Sequence, residues 1–131
     1  MNQYREVIMD ISYLGLALVE SWCIETSTKW TVENPAAGQC GVTALVVQAY
    51  LGGEIVKTFM GEGWHFYNKI QDAYLDFTAS QFDMVIDYKP VVSNREEAFE
   101  DTNLNQYRYL TKEMNNRLIS LLGEVGRNYG R

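Results

Sequence analysis

From Cys40 to Leu51 the chain is apolar at almost every position, reading Cys-Gly-Val-Thr-Ala-Leu-Val-Val-Gln-Ala-Tyr-Leu. A segment without a polar face has to be covered on all sides, so the fold must be built around it. Its β-branched residues would suit a strand. Its length, its Ala, Leu and Gln content and the Gly52-Gly53 stop predict a buried helix instead. The chain has 131 residues, enough for one core, and a single domain over 1–131 is expected.

Amphipathic helices are predicted on either side. From about Tyr4 to Glu25, the residues Tyr4, Val7, Ile8, Ile11, Leu14, Leu18 and Trp22 recur at spacings of three and four. From about Asn105 to Val125, Tyr107, Leu110, Met114, Leu118, Leu121, Leu122 and Val125 form the inner face. Between the buried helix and the last helix lie three predicted strands: Glu54 to Met60, Gly63 to Ile70 and Ala73 to Thr78. Gln71-Asp72 reads as a two-residue hairpin turn. Ser80 to Phe82 reads as a turn and Pro90 to Val92 as a short edge strand. Ser93 or Asn94 is placed to cap a short helix. Helices, then antiparallel strands, then a helix make an α+β domain.

The start of the buried helix carries the chemistry. Gly38-Gln39 leads into Cys40, and a thiol at a helix N-terminus meets backbone N–H groups and the positive end of the dipole. Both favour the thiolate, so Cys40 is expected to titrate below an ordinary thiol. His65 is the only histidine. If Gln71-Asp72 is the whole hairpin loop, Ile70 faces Ala73, Tyr67 pairs with Asp76 and His65 with Thr78. His65 and Asp76 are then diagonal neighbours on one face. Asp76 would accept from one imidazole nitrogen and leave the other toward Cys40. Thiol, imidazole and carboxylate are the parts that activate sulfur for attack on a carbonyl. Taken singly, a buried cysteine is ordinarily a small core residue, a histidine among aromatics is packing, and an aspartate on a strand is surface charge. Their joint occurrence in this order is what points to chemistry.

Other residues are read more plainly. Gln39 either helps form an oxyanion hole or shapes the loop. Trp30 and Trp64 are expected to pack in the core, and Cys23 to be an inert buried thiol. The acidic run Glu96-Glu97 to Glu100-Asp101 is expected to be a solvated face. Cys40, His65 and Asp76 are all residue types that ligate zinc, yet no supporting fourth ligand or spacing accompanies them. Two cysteines rule out a disulfide framework. A net charge of −6 without a basic stripe argues against nucleic acid as a partner. No apolar run spans a bilayer, and the first residues lack the pattern of a signal peptide, so a cytoplasmic protein is expected.

The stretch Gly38-Gln39-Cys40-Gly41-Val42 resembles the G-Q-C-x-V nucleophile motif of transglutaminases. His65-Phe66-Tyr67-Asn68 and Ala73-Tyr74-Leu75-Asp76-Phe77-Thr78 resemble the histidine and aspartate strands of the transglutaminase-like branch of papain-like cysteine enzymes. Tyr67 stands where that pattern has Trp, Lys69 where it often has Glu, and Phe77 where it has Pro. Asn34 to Phe82 as a whole resembles the YunG-type family of small bacterial proteins. The resemblance implies an α+β core with the Cys40 helix packed on a small antiparallel sheet. It implies Cys40 as nucleophile, His65 as base and Asp76 as orienter. The expected function is acyl transfer from a peptide, protein or small amide substrate, with no cofactor and no metal. The alternative is a catalytically silent binding module on the same fold.

Overall fold

The computed structural model of the protein describes residues 11–129, with side chains in the last helix described through residue 121. In chain order these residues form α1 (Ile11–Ser21), α2 (Cys40–Leu51), β1 (Glu54–Phe59), β2 (Trp64–Ile70), β3 (Ala73–Leu75), β4 (Val91–Val92), α3 (Arg95–Glu100) and α4 (Leu104–Tyr129). A 3-10 turn at Ala79–Gln81 lies between β3 and β4. The four strands make one antiparallel sheet in the order β3-β2-β1-β4.

The apolar segment is the middle layer, as its lack of a polar face requires. Every residue of α2 from Cys40 to Val47 is buried. One side, Val42, Val46 and Val47, packs against Leu14, Ala17 and Leu18 of α1 and against Leu110, Met114 and Leu118 of α4. The other side, Cys40, Ala44 and Leu45, packs against Ile55 of β1, Phe66 of β2 and Ala98 of α3. Each fully buried Val or Leu contributes roughly 1.5–3 kcal/mol, so the two faces together dominate the stability. Two buried polar links fix the orientation of the helix. Asn68 donates its amide to the Ala44 carbonyl at 3.0 Å, and the Trp22 indole donates to Thr43 Oγ1 at 3.0 Å.

The hairpin has the expected register. Ile70 pairs with Ala73, and Gln71 takes the positive φ of 55° that a two-residue turn demands. Asn94 caps α3, its side chain accepting from the Glu97 N–H at 2.9 Å. Val91–Val92 forms the edge strand against β1.

Several boundaries differ from the predicted ones, two of them by more than a residue for a local reason. The first helix closes at Ser21, short of Glu25, because Thr26 Oγ1 bonds both the N–H and the C=O of Cys23 and turns the chain. Its inward positions are Leu14, Ala17, Leu18 and Ser21, while Ile11 is 49% exposed. Tyr4, Val7 and Ile8 lie outside the described residues. The third strand stops at Leu75, because Asp76 Oδ1 accepts from the Thr78 N–H at 3.1 Å and replaces the ladder with a side-chain turn. In α4, Leu110, Met114 and Leu118 are buried and Tyr107 and Leu121 pack on the same core, whereas the side chains of Leu122 and Val125 lie outside the description. Among the described residues no helix is long and apolar enough to cross a membrane.

Candidate functional site

The loop that delivers Cys40 is braced from two directions. Ser27 Oγ donates to the Ala37 carbonyl at 2.9 Å and accepts from the Lys29 N–H at 3.2 Å. Gly38 passes over it with φ 70°, where a Cβ would lie 2.4 Å from Ser27 Oγ, so only glycine fits. From the other side, Gln81 accepts from the Gly38 N–H at 3.4 Å and its carbonyl accepts from Asn34 at 3.1 Å. Gln81 belongs to the 3-10 turn that follows Asp76. One set of polar contacts therefore ties the approach to the cysteine to the segment behind the aspartate.

His65 sits near the start of β2 and is 1% exposed. Its ring lies edge-on to Phe82, with centroids 5.0 Å apart, and stacks on Tyr67 at 5.8 Å. Nε2 lies 2.6 Å from Asp76 Oδ2. A carboxylate can only accept, so Nε2 carries a hydrogen, and whenever the ring is neutral its lone pair is on Nδ1. Nδ1 is buried and has no hydrogen-bond partner. Asp76 is itself held on both oxygens. Oδ2 also accepts from Tyr88 Oη at 2.6 Å, and Oδ1 accepts from the Thr78 N–H at 3.1 Å and Thr78 Oγ1 at 3.3 Å. Burial alone would push this carboxyl up. The hydrogen bond and charge of His65, with Tyr88 and Thr78, outweigh it and hold Asp76 below the usual carboxylate range.

The thiol is held differently. Cys40 begins α2 as expected, but it is 7% exposed and its Sγ donates to Asp101 Oδ2 at 3.4 Å. The same oxygen accepts from the Gly41 N–H at 3.0 Å. Burial, and then the charge of Asp101, push the Cys40 pKa up to about 12, against the pull of the Phe66 and Gly41 amides. The expectation of a depressed pKa is therefore corrected. The helix terminus does offer its amides, but a carboxylate has taken that place and the surrounding apolar core disfavours a thiolate. Asp101 as a residue is exposed, yet its carboxyl is turned inward, and loss of water there raises its own pKa.

Cys40, His65 and Asp101 line one cleft of about 600 Å³, together with Lys29, Trp64, Phe82 and a rim of Met60, Glu62 and Met84. Trp64 is 42% exposed on this wall, with Lys57 Nζ 4.2 Å from its ring centroid, and so is not the core residue expected. Trp30 does pack against the helical core. Cys23 is only partly buried. Gln39 is fully buried, caps nothing with its side chain, has no partner for Oε1 or Nε2, and is not part of the cleft wall. Of the acidic run, Glu96 and Glu100 are exposed and Glu97 pairs with Lys57 at 2.9 Å. Asp101 is the exception that the reading of a solvated face missed. Among the described residues no group of three or more His, Cys, Asp or Glu side chains is arranged to hold a metal ion.

Tyr88 and Asp101 are the hydrogen-bond partners of Asp76 and Cys40 that sequence reasoning did not find. For Asp101 the one local trace is Gly41, beside the cysteine, where a Cβ would lie 2.6 Å from Asp101 Oδ2 and 2.9 Å from the Ala98 carbonyl.

A family model described as YunG protein matches residues 10–119, a span that includes every residue of the cleft. A protein of Bacillus subtilis (strain 168), described as uncharacterized protein YunG, is 49% identical over 115 residues, which cover 88% of this chain and the whole of that protein. No solved structure matches the chain. A match across most of the chain and near one-half identity over the full length of a relative lead to one assignment: the chain belongs to the YunG family.

Proposed function

We propose that the cleft is the active site of a thiol-dependent acyl-transfer enzyme on a papain-like or transglutaminase-like core. Cys40 is the nucleophile, His65 the base and Asp76 the orienter. One observation carries this reading: the His65–Asp76 pair, closed at 2.6 Å, leaves a buried, unpartnered Nδ1 on a histidine that lines the same cleft as Cys40. With Nε2–H committed to Asp76, Nδ1 is the basic nitrogen. It takes the proton from Cys40 as sulfur bonds to the carbonyl carbon. Asp76 stabilises the imidazolium, and the carbonyl's electron pair moves onto oxygen near the amides at the start of α2. Collapse breaks the bond to the leaving amine, which receives the proton from His65. The acyl-thioester is then resolved by water, giving hydrolysis or deamidation, or by an amine, giving transamidation. Gln39, sealed away from the cleft wall, supports the loop-shaping role rather than the oxyanion one.

A binding module without turnover is the second reading. The contact that favours it is the Cys40 hydrogen bond to Asp101, which holds the thiol protonated and unbonded to His65. Intact-mass spectrometry with thiol-directed activity probes and a panel of amides and thioesters separates the two. Acyl transfer predicts a covalent adduct on Cys40 in the wild type that His65→Ala loses. Equal labelling of both proteins would remove His65 as activating base, and turnover surviving in Cys40→Ser would end the thiol mechanism.

A further inference from the structure

We propose that Asp101 is the resting occupant of the oxyanion position, and that the Gly41 N–H it accepts from is the donor used by the reaction; this rests on the acyl-transfer reading above. The geometry is specific to one oxygen. Asp101 Oδ2 accepts from the Gly41 N–H at 3.0 Å while it also takes the Cys40 thiol at 3.4 Å. When sulfur adds to a carbonyl, the new oxyanion is attached to the carbon that sulfur has bonded. It must therefore lie beside the sulfur and within reach of a fixed donor. The carboxylate oxygen of Asp101 meets both conditions, with the negative charge of the intermediate it would stand in for.

The contact is built into the fold. Asp101 directly follows α3, its N–H bonded to the Ala98 carbonyl at 3.1 Å. The helix is pinned to α2 by Arg95, which donates to the Leu45 carbonyl at 3.2 Å and to Gln48 Oε1 at 2.9 Å. It is pinned to the sheet by the Lys57–Glu97 pair at 2.9 Å. Position 41 has no room for any side chain against Asp101 and Ala98. Asp101 nonetheless remains exposed as a residue, so its side chain can swing toward solvent without α3 leaving its place. Lys29 and His65 are the other groups whose charge reaches it, and Glu62 lies on the same cleft wall.

The consequence is a nucleophile released by its own substrate. A carbonyl oxygen entering the cleft displaces Asp101 from the Gly41 N–H and breaks the S–H···O contact. The thiol hydrogen is then free to pass to His65 Nδ1 as the S–C bond forms. Until then Cys40 stays a thiol and resists adventitious alkylation and oxidation.

The test compares two reagents on Cys40 in wild type, Asp101→Asn and Asp101→Ser, with Cys23 as the internal reference in each peptide map. Iodoacetamide alkylates sulfur without forming an oxyanion, whereas p-nitrophenyl acetate acylates it through one. Asn keeps an acceptor for Gly41 and removes the charge; Ser removes the charge and vacates the position. Both variants are expected to speed alkylation at pH 7 about tenfold or more, as a one-unit fall in thiol pKa requires. Asp101→Ser is expected to speed acylation by a further factor of about ten over its gain in alkylation, on the scale of one oxyanion donor. Equal gains with the two reagents would overturn the oxyanion assignment. Unchanged Cys40 rates in both variants, or a parallel rise at Cys23 from general loosening, would overturn the proposal entirely. Asp101→Ser combined with His65→Ala separates this from the parent reading. A gain specific to acylation that survives without the histidine keeps Asp101 in its role and removes His65 as base.

Discussion

One carboxylate, Asp101, lines the cleft and another, Asp76, is bonded to the histidine of its wall, and their environments are opposite. Asp76 accepts from His65, Tyr88 and Thr78 through both oxygens, and its pKa is held low. Asp101 accepts from one backbone amide and one thiol through a single oxygen, and its pKa is raised. The first is locked as an anion and fixes an imidazole tautomer. The second is weakly satisfied, has one face toward solvent, and suppresses the group it touches. Under the proposed acyl-transfer reading, the two halves of the cleft then differ: the base half is complete at rest, and the nucleophile half is closed at rest.

The largest effect that tests this contrast belongs to the base half. His65→Ala in an Asp101→Ser background is expected to lower the Cys40 acylation rate by roughly 10²–10⁴-fold, the range of a positioned general base. The measurement is the p-nitrophenolate burst. A loss under threefold would mean that the completed dyad has no part in activating the thiol, and the contrast would reduce to two unrelated structural aspartates.

Next comes stability at the point where the nucleophile half closes. Gly41→Ala places a Cβ 2.6 Å from Asp101 Oδ2 and 2.9 Å from the Ala98 carbonyl. The carboxylate can retreat toward solvent, but the Ala98 backbone is fixed by α3. The substitution is expected to cost about 1–3 kcal/mol in urea unfolding, as overpacking generally does. Release of the thiol should accompany it, seen as faster alkylation of Cys40. A neutral substitution would show that α3 sits on α2 less tightly than the contact implies.

A pH experiment sharpens the contrast by its sign. The native pKa of Asp76 is lowered, so its contribution to stability is present above the unfolded carboxyl value and is lost as pH falls through the native one. The native pKa of Asp101 is raised, so its contribution is fully present below the unfolded value and is lost as pH rises through the native one. Urea midpoints between about pH 3 and 6 should therefore respond oppositely to two isosteric changes. Asp76→Asn removes a rise in stability with pH, and Asp101→Asn removes a fall. Changes of the same sign would mean that the two carboxylates share one environment.

How much of this was readable in the chain follows the same division. The buried helix, the Asn94 cap and the two-residue hairpin are local patterns, and each forms as its residues dictate. Hairpin parity anticipates the His65–Asp76 bond, although the ladder stops at Asn68–Leu75 and the expected Tyr67–Asp76 and His65–Thr78 pairs are not part of it. Even there the strand ends at Leu75, because Asp76 prefers its own side-chain turn with Thr78 to the ladder. The Cys40–Asp101 contact spans 61 positions and exists only because α3 docks on α2. Nothing in the run Glu96 to Asp101 separates the one inward carboxylate from its solvated neighbours. The sign of the thiol shift was lost with it, since a helix-terminus argument considers only the backbone and not what packs against it. Superfamily placement depends on motif likeness alone, and membership in the YunG family on the match across residues 10–119.

The smallest expected effect concerns how firmly the base half is fixed. Tyr88 is 42% exposed and donates to Asp76 Oδ2 at 2.6 Å, on the same oxygen that receives His65. It reaches that oxygen from the chain beyond the 3-10 turn, and its ring packs edge-on to Tyr67, with centroids 5.1 Å apart. Tyr88→Phe keeps the ring contact and removes the hydroxyl. Asp76 then keeps three of its four donors, so the imidazole stays in place and the carboxylate becomes a slightly better acceptor for His65. The expected cost in stability is about 1 kcal/mol, below the upper range for a bond to a charged group because the site is partly solvated. The acylation rate of Cys40 should change by less than about threefold, well under the loss for His65→Ala. NMR of the imidazole nitrogens supplies the check. Nε2 should remain the protonated nitrogen at neutral pH in Tyr88→Phe and lose that preference in Asp76→Asn. A tautomer change in Tyr88→Phe would mean that Asp76 is not fixed by its other contacts, and the base half would be as provisional as the nucleophile half.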